Sequence, residues 1–348
     1  MVKKNLLLMF GGESSEYEIS LVSAYNVLKN LNSEKYDIIT VGVTRNGEWK
    51  LFSGGREDIL NDKWEGPEVF LVPGGELITV KNGSISRRKI DCVFPVMHGR
   101  KGEDGKLQGL FEICGVPYVG CGTFSSAVCM DKIATHIMLS ANGIKNTRYM
   151  GFSRIDLVGN SLVSKVEKEF SYPVFVKPAN TGSSIGISKA TDRNILLEAV
   201  EEAFKYDSRI LVEEAASGSE LECAVLGNDN PVASGVGEII PDGEFYDYNA
   251  KYNSDKNIMN IPAKIDPEIK NKVQELAKKA FTAMGCSGLA RVDFFYDRET
   301  GELYLNELNT LPGFTEISMY SKLFGEAGTK YGELLDMLIT LALERSGQ

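Results

Sequence analysis

The sequence predicts an α/β chain organised in three lobes, and three observations carry that expectation. Its 348 residues exceed what one ordinary core organises, so more than one domain is expected. Strand-like and helix-like segments alternate from the first residues onward, the pattern of βαβ units and of a parallel sheet covered by helices. Later in the chain, two apolar strands carry charged residues on one face only, which marks the rim of a cleft rather than a plain core strand.

The elements follow in order. "LLLMF" reads as a first strand, "EISLVSAYNVLKNL" as a helix and "YDIITVGVT" as a second strand; after a mixed region come the strand "CVFPVM" and the helix "LQGLFEICG". A helical stretch from Ser125 to Asn142, closed by Gly143, leads out of this unit. A compact α+β unit then contains "YPVFVKP", "SSIGISKA", the amphipathic helix "NILLEAVEEAFKYD" and "RILVEE". The last part carries "LECAVLG", a polar stretch, the helix "DPEIKNKVQELAKKAFTAMG", the strands "LARVDFFYD" and "ELYLNELN", and a closing helix "YGELLDMLITLALERS". The expected lobes are 1–122, 123–213 and 214–348. Within the third, residues 241–260 are polar and aromatic without period, as in a functional lid.

Composition narrows the classes of function. Apolar residues at 43% and charged residues at 25% are those of a soluble globular protein. The net charge of −10, without a dense basic cluster, argues against a nucleic-acid partner but leaves room for phosphate ligands, which need only a few local cations. The run Leu6 to Phe10 is too short for a signal peptide, and no apolar run is long enough to span a membrane. The six cysteines form no C-x-x-C pair and no small-scaffold disulfide pattern, so a reduced, cytoplasmic protein is expected.

In "LARVDFFY", strict alternation puts Leu289, Arg291, Asp293 and Phe295 on one face; in "LYLNELN" it puts Leu303, Leu305, Glu307 and Asn309 on one face. "DRETG" between them is a hairpin connection. Antiparallel pairing then brings Asp293 and Glu307 together with Asn309 beside them, an all-oxygen set suited to Mg2+. The alternative is a solvated edge with incidental charges. "NTGSSIGIS" is not a P-loop, yet it could fold over phosphates, or be a plain hairpin tip. Lys177, and Glu213 with Glu214, each end an apolar run. A cation at one strand end and carboxylates at another suit a nucleotide.

These segments, "VFVKPANTGSSIGISK", "ILVEEAASGSE", "GLARVDFFY" and "LNELNTLPGFT", resemble in that order the ATP-grasp fold. With "FGGESSEYEIS", "MHGRKGEDGKLQGLFE", "CMDK" and "DYNAKY" the resemblance extends over nearly the whole chain to the D-alanine-D-alanine ligase family. It implies a three-lobed ATP-grasp fold with an N-terminal parallel-sheet, biotin-carboxylase-like domain. The implied activity joins two D-amino acids at the expense of ATP through an acyl phosphate, supplying a dipeptide for peptidoglycan. By similarity Lys132 and Lys177 hold the phosphates, Glu213 the adenine amine and Glu220 the ribose. Asp293, Glu307 and Asn309 match the ligands of two Mg2+ ions, for which Mn2+ can substitute. Arg291 and the N–H of Gly313 match the donors to the oxyanion. Glu16 matches the carboxylate that receives the first substrate's ammonium, with Ser183 and Tyr252 hydrogen-bonded to it; read without the resemblance, Glu16 and Glu18 are acidic residues at a helix start, with Ser14 or Ser15 as cap.

The resemblance also assigns Lys251 and Ser318 to the second substrate's carboxylate and sets His98 near the first substrate. His136 reads as structural or surface. Tyr252 goes with an amine rather than D-lactate as second substrate. D-alanine is the expected second substrate and D-serine the alternative, as in ligases of vancomycin-resistance clusters, from which Met319 departs where those carry arginine. A homodimer is expected by resemblance alone. A nicotinamide dehydrogenase is disfavoured because "FGGESSE" lacks G-x-G-x-x-G, and a non-catalytic nucleotide module because it need not keep the metal and oxyanion sets.

Overall fold

The computed structural model describes residues 2–216, 218–240 and 258–347, and among them the strands form three sheets. The first contains β1 (Lys4–Gly11), β2 (Tyr36–Val43), β3 (Trp49–Phe52), β4 (Glu68–Val72), β5 (Glu76–Lys81), β6 (Ser84–Lys89) and β7 (Cys92–Pro95), in the order β6-β5-β4-β3-β2-β1-β7. Parallel pairing, as expected, joins β2, β1 and β7. The mixed region is an antiparallel meander, β3 to β6, which extends the sheet on one side. A three-residue turn, Pro73–Gly75, and a two-residue turn, Asn82–Gly83, make two of the reversals, with positive φ at Gly74, Gly75, Asn82 and Gly83. The expected parallel sheet is therefore a mixed one.

Both faces of the parallel part are covered. Leu7, Met9, Ile39 and Val41 pack with Leu107 and Phe111 of α3 (Lys106–Cys114). Leu6, Leu8 and Phe10 pack with α1 (Tyr17–Asn30) and the closing helix Tyr331–Arg345 in a core that also takes in Ala224, Leu226 and Leu289 of the third sheet. The first and third sheets thus share a core. After the short α2 (Arg56–Leu60) and α3, the helical stretch expected as one piece is two, α4 (Thr123–Met130) and α5 (Lys132–Ala141). Asp131 breaks it: extended backbone there lets its carboxylate cap α5 by accepting from Ala134 N–H at 3.0 Å. Gly143 closes α5 with φ of 62°.

The second sheet, β10-β9-β11-β8, is built from β8 (Tyr149–Ser153), β9 (Val174–Pro178), β10 (Ser188–Ala190) and β11 (Arg209–Glu214). It is backed by α6 (Ser161–Glu169) and α7 (Arg193–Tyr206). The third, β14-β13-β12-β15-β16, contains β12 (Ser219–Gly227), β13 (Val232–Ile240), β14 (Ile258–Asn260), β15 (Gly288–Tyr296) and β16 (Leu303–Asn309). On one face lies α8 (Pro267–Ala283), through Val273, Ala277, Ala280 and Phe281. Against the other lie α9 (Met319–Glu326) and α10 (Tyr331–Arg345). Most of the expected lid, with Lys251 and Tyr252, lies outside the described residues.

β15 and β16 pair antiparallel through the expected hairpin, with Asp293 opposite Glu307 and Arg291 opposite Asn309. One expectation fails within it. The register slips so that Phe294 faces Leu305, leaving Asn306 as an extra residue. That β-bulge turns the strand over. Leu303, Leu305 and Leu308 all enter the core beneath the sheet, while Glu307 and Asn309 leave that face and line the cleft. The leucines and the polar pair therefore do not share a face. A strict alternation would put Leu308 with Tyr304 and Asn306, both only half-buried. The bulge makes Leu308 a core residue, and Leu308→Ala is accordingly expected to cost about 2–5 kcal/mol, as Leu305→Ala does; denaturant unfolding of the two variants checks it, and a surface-like cost for Leu308 would contradict the bulge.

Candidate functional site

A cleft of about 610 Å3 lies where the three sheets meet. It gathers Glu16, His98, Lys132, Lys177, Ser183, Glu213, Glu220, Arg291, Asp293, Glu307, Asn309, Gly313, Ser318 and Met319. Every expected site residue among those described thus lines one cavity.

On the third sheet the register builds a row of carboxylates. Glu222 of β12 lies opposite Asp293 of β15, which lies opposite Glu307 of β16. Three like charges side by side repel. Arg291 compensates: Nε and Nη2 donate to the two Asp293 oxygens at 2.8 and 2.7 Å, and Nε lies 3.1 Å from Glu222 Oε2. Burial opposes the charge of this guanidinium, but Asp293 and Glu222 outweigh that and hold it firmly protonated. Glu222 was not singled out from sequence, although a glutamate inside the buried run of β12 carries the same signal as Asp293.

Asp293, Glu307 and Asn309 are oxygen donors on adjacent strands, one pair directly opposed and the third beside it. That donor chemistry fits a hard cation, which takes one or two carboxylates and completes its shell with phosphate and water. Asp293 would then share its carboxylate between the ion and Arg291, and Asn309 Oδ1 already accepts from Leu311 N–H at 3.2 Å.

Across the cleft, Glu213, at the penultimate position of β11, is buried between Lys177 and His136. Lys177 Nζ pairs with Oε1, and His136 Nε2 lies 3.3 Å from Oε2. Burial alone would raise this carboxyl; the neighbouring Lys177 and the hydrogen bond from His136 overcome it and bring it from 4.5 down to about 2. His136, read from sequence as structural or surface, is buried and lines the cleft. Its only sequence signal was a histidine one turn past Lys132. Lys132, at the first position of α5, donates to Thr181 O in the glycine-rich loop. That loop holds Ser183, Ser184 and Gly186 at φ of 49°, 59° and 72°. Two serines in the left-handed region store strain of the kind found at ligand clamps. Ser183 Oγ donates to Glu16 Oε1, tying the second sheet's loop to the start of α1. Glu16 itself is buried and precedes α1 without a side-chain cap, whereas Glu18 is exposed and pairs with Arg45.

His98, just beyond β7, fixes the turn after β16. Its Nδ1 lies 3.1 Å from Leu311 O and 3.4 Å from Glu103 Oε1, so that nitrogen donates. Nε2 lies 2.9 Å from Ser23 Oγ, which also accepts from Phe314 N–H at 3.2 Å. Burial works against the imidazolium, but Glu103 and the more distant Glu16 raise the His98 pKa above its usual value. Neither Glu103 nor Ser23 was singled out from sequence. Gly313 sits in this turn where a Cβ would come within 2.9 Å of Ser318 Oγ. That hydroxyl accepts from Thr315 N–H at 2.9 Å. Met319 is buried and packs over Gly237, where a Cβ would lie 2.6 Å from its sulfur.

Two antiparallel sheets closing on a cleft, with lysines and the buried Glu213 carboxylate on one wall and an oxygen and guanidinium row on the other, form the ATP-grasp fold. Comparison with known proteins specifies the family. The D-ala D-ala ligase N-terminus model matches residues 5–121 and the D-ala D-ala ligase C-terminus model residues 138–340. A D-alanine--D-alanine ligase of Acetivibrio thermocellus is 48% identical over 99% of this chain and 96% of its own. One of Clostridium novyi is 46% identical over the whole of both. Among solved structures, the VanG D-Ala:D-Ser ligase from Enterococcus faecalis matches with a TM-score of 0.90 at 40% identity, over 98% of this chain and 100% of that one. The D-alanine-D-alanine ligase from Coxiella burnetii matches with 0.87 at 34%, over 99% and 95%. The chain belongs to the D-alanine-D-alanine ligase family.

The Glu213 arrangement has a consequence for stability. A carboxylate held ionised in the fold at about 2, against 4.5 ordinarily, stabilises above pH 4.5, and that contribution is lost as pH falls toward 2. Its size is on the order of 3 kcal/mol. Urea midpoints of the wild type are therefore expected to fall more steeply with acid through this window than those of Glu213→Gln; parallel curves would mean Glu213 gains nothing from its two partners.

Proposed function

We propose that this chain joins D-alanine to D-alanine with hydrolysis of ATP to ADP and phosphate, supplying the dipeptide for peptidoglycan. The observation that carries this reading is the cleft itself, with Lys132, Lys177 and Glu213 on one wall and the Arg291–Asp293–Glu307–Asn309 row on the other. A carboxylate oxygen is a poor leaving group, so the first D-alanine must be activated. Its carboxylate attacks the γ-phosphorus, the bond to the β-phosphate oxygen breaks, and ADP leaves an acyl phosphate. The second D-alanine's amine then attacks the acyl carbon and inorganic phosphate departs.

Each step draws on residues of this chain. Glu16, tied to Ser183, receives the first substrate's ammonium and orients its carboxylate toward ATP. Lys132 and Lys177 hold the phosphates, Glu213 the adenine amine and Glu220 the ribose. Asp293, Glu307 and Asn309 would hold Mg2+, which when bound neutralises phosphate charge during transfer. Arg291 and Gly313 N–H donate to the oxygen that becomes negative in the tetrahedral intermediate. Side-chain bulk at residue 313 would collide with Ser318, so glycine keeps that N–H approachable. His98 fixes the 311–314 turn, which carries this donor, and lies close to the first substrate's carboxylate partner Glu16. Ser318 receives the second substrate's carboxylate; the roles of Lys251 beside it and of Tyr252 at Glu16 follow from the family resemblance, and both residues lie outside the described ones. The acyl phosphate must be kept from water, which gives segment 241–260 its role. A cytoplasmic homodimer completes the proposal, and no helix among the described residues is long and apolar enough to cross a membrane.

A D-serine second substrate is the second reading, favoured by the TM-score of 0.90 to the VanG D-Ala:D-Ser ligase. Buried Met319, packed over Gly237, puts an apolar side chain at this position and favours D-alanine.

Incubating the purified protein with ATP, Mg2+ and D-alanine, alone or with D-serine or D-lactate, and weighing the products distinguishes these readings. D-alanyl-D-alanine is the expected main product; absence of phosphate release in every mixture would remove the ligase reading. Glu307→Gln is expected to lower phosphate release by at least about a hundredfold with an unchanged thermal midpoint, given how strongly charge stabilisation contributes to transfer.

A further inference from the structure

Behind the phosphate wall, Asn180, Asp131, Asp207 and Arg209 close a ring of hydrogen bonds between separate segments. Asn180 opens the glycine-rich loop. Its Nδ2 donates to Asp207 Oδ2 at 3.2 Å and to Asp131 Oδ2 at 3.4 Å, and its backbone N–H donates to the same Asp207 oxygen at 2.8 Å. Arg209, the first residue of β11, completes the circuit: its Nη2 donates to Asp131 Oδ2 and its backbone N–H to Asp207 Oδ1 at 3.2 Å. A carboxylate only accepts, so both protons of the Asn180 amide point at the aspartates and its orientation is fixed. Burial works against the charge of Asp207, but the N–H groups of Arg209 and Asn180 outweigh it and hold that carboxyl below its usual range.

The ring meets the cleft only through its neighbours. Met130 and Lys132, on either side of Asp131, line the cavity, as does Thr181 after Asn180, while the ring residues stand behind that lining. Asp131 caps α5 and so fixes the backbone that carries Lys132. Lys132 N–H donates to Ala179 O at 3.0 Å, Ala179 N–H to Arg209 O at 3.0 Å, and Lys132 Nζ to Thr181 O. One lysine is therefore held at both ends by the residues that flank Asn180. A long flexible side chain loses rotamer freedom when a ligand orders it, and a head already placed avoids much of that cost. The loop has a need of its own, because Ser183 and Ser184 keep left-handed backbone only where their surroundings over-determine it. Its tip is tied separately, by Ser183 to Glu16; its base is tied by Asn180.

We propose that Asn180 is a positioning residue of the phosphate site: held between Asp131 and Asp207, it registers the glycine-rich loop on the start of α5 and so presets the Lys132 ammonium for nucleotide phosphate. The proposal rests on the reading of Lys132 as a phosphate ligand. It demands a donor at residue 180 rather than a shape. Asn180→Asp keeps the shape but sets a third carboxylate against two others, which repel it, whereas Asn180→Ala only removes the donor. The isosteric substitution is therefore the more damaging of the two.

Calorimetric titration of ADP into the full chain, with steady-state kinetics beside it, tests this on wild type, Asn180→Ala, Asn180→Asp, Lys132→Ala and the double variant Lys132→Ala/Asn180→Ala. Asn180→Ala is expected to weaken ADP binding and raise the KM for ATP by about tenfold, the scale of one hydrogen bond to a charged group. The KM for D-alanine stays within about twofold, since the tie of Ser183 to Glu16 is kept. Asn180→Asp binds ADP more weakly than Asn180→Ala. In the Lys132→Ala background, Asn180→Ala changes ADP affinity by less than about twofold, because the group it positions is already gone. Wild-type ADP affinity in either Asn180 variant, or an undiminished loss in the Lys132→Ala background, overturns the proposal. A lowered thermal midpoint with ADP affinity kept marks a tie that serves the fold alone, and overturns it too. If Asn180→Asp does not fold, the double-variant comparison decides. Wild type that fails to bind ADP, or Lys132→Ala that binds it as well as wild type, overturns the phosphate reading and this inference with it; an effect of Lys132→Ala without one of Asn180→Ala removes this inference alone.

Discussion

The guanidinium of Arg291 governs the third sheet. It sits on a strand whose other face is core, and a buried cation persists only where partners surround it. Glu222 on one neighbouring strand and Asp293 two residues along its own supply them. Those carboxylates fall into place because the antiparallel register of β12, β15 and β16 sets residues 222, 293 and 307 in one row. The same register that satisfies the arginine concentrates negative charge at Glu307. Stability and chemistry here are one electrostatic arrangement: removing Arg291 would leave adjacent carboxylates uncompensated, and removing the carboxylates would strand the arginine.

A second balanced charge faces the first. Glu213 is compensated by Lys177 and His136, as Arg291 is by Glu222 and Asp293. Neither cluster is tied to the other by the hydrogen bonds described, and what joins the walls lies at the ends of the cleft. Ser183 reaches Glu16 on one side, and His98 with Ser23 holds the turn at 311–314 on the other. α10 adds a further tie: Arg345 donates to Tyr118 O at 3.0 Å and its guanidinium lies over the Tyr118 ring at 4.5 Å. The cleft is therefore framed by polar contacts between segments far apart in sequence, and its walls keep their charges for a ligand.

How much of this was legible depended on whether the signal was local. Charged residues interrupting the apolar strand around Asp293 needed only the two-residue period of a strand, and the hairpin needed only "DRETG"; both are visible in one segment. The bulge at Asn306 was not, because it is set by pairing to β15, and alternation alone put Glu307 with the leucines. The meander β3 to β6 escaped for another reason. Its last strand, Ser84–Lys89, is exposed along its whole length and carries no apolar alternation to read. Ser23 and His136 act on partners 75 or more positions away, as with Ser23 and His98, and Glu103 meets His98 only because the polar turn between them folds back, so no regular spacing within a segment announces them. The roles expected for the remaining site residues came from resemblance, and the fold adds that those among the described residues share one cavity.

The bulge bears on why the site can exist on so apolar a strand. Strict alternation through "LYLNELN" would offer two unfavourable choices: carboxylate and amide in the core with the leucines, or the leucines in the cleft with them. One inserted residue removes the conflict. Before Asn306 the odd-numbered positions are buried; after it Leu308 is, and Glu307 and Asn309 open to the cleft. The unpaired backbone at the bulge costs some ladder hydrogen bonding, but it lies beside an otherwise regular hairpin that can sustain the loss. A strand can thus supply hydrophobic anchorage and charged ligands within seven residues. The anchorage makes the ligands rigid, since Leu305 and Leu308 are fixed in the core on either side of Glu307.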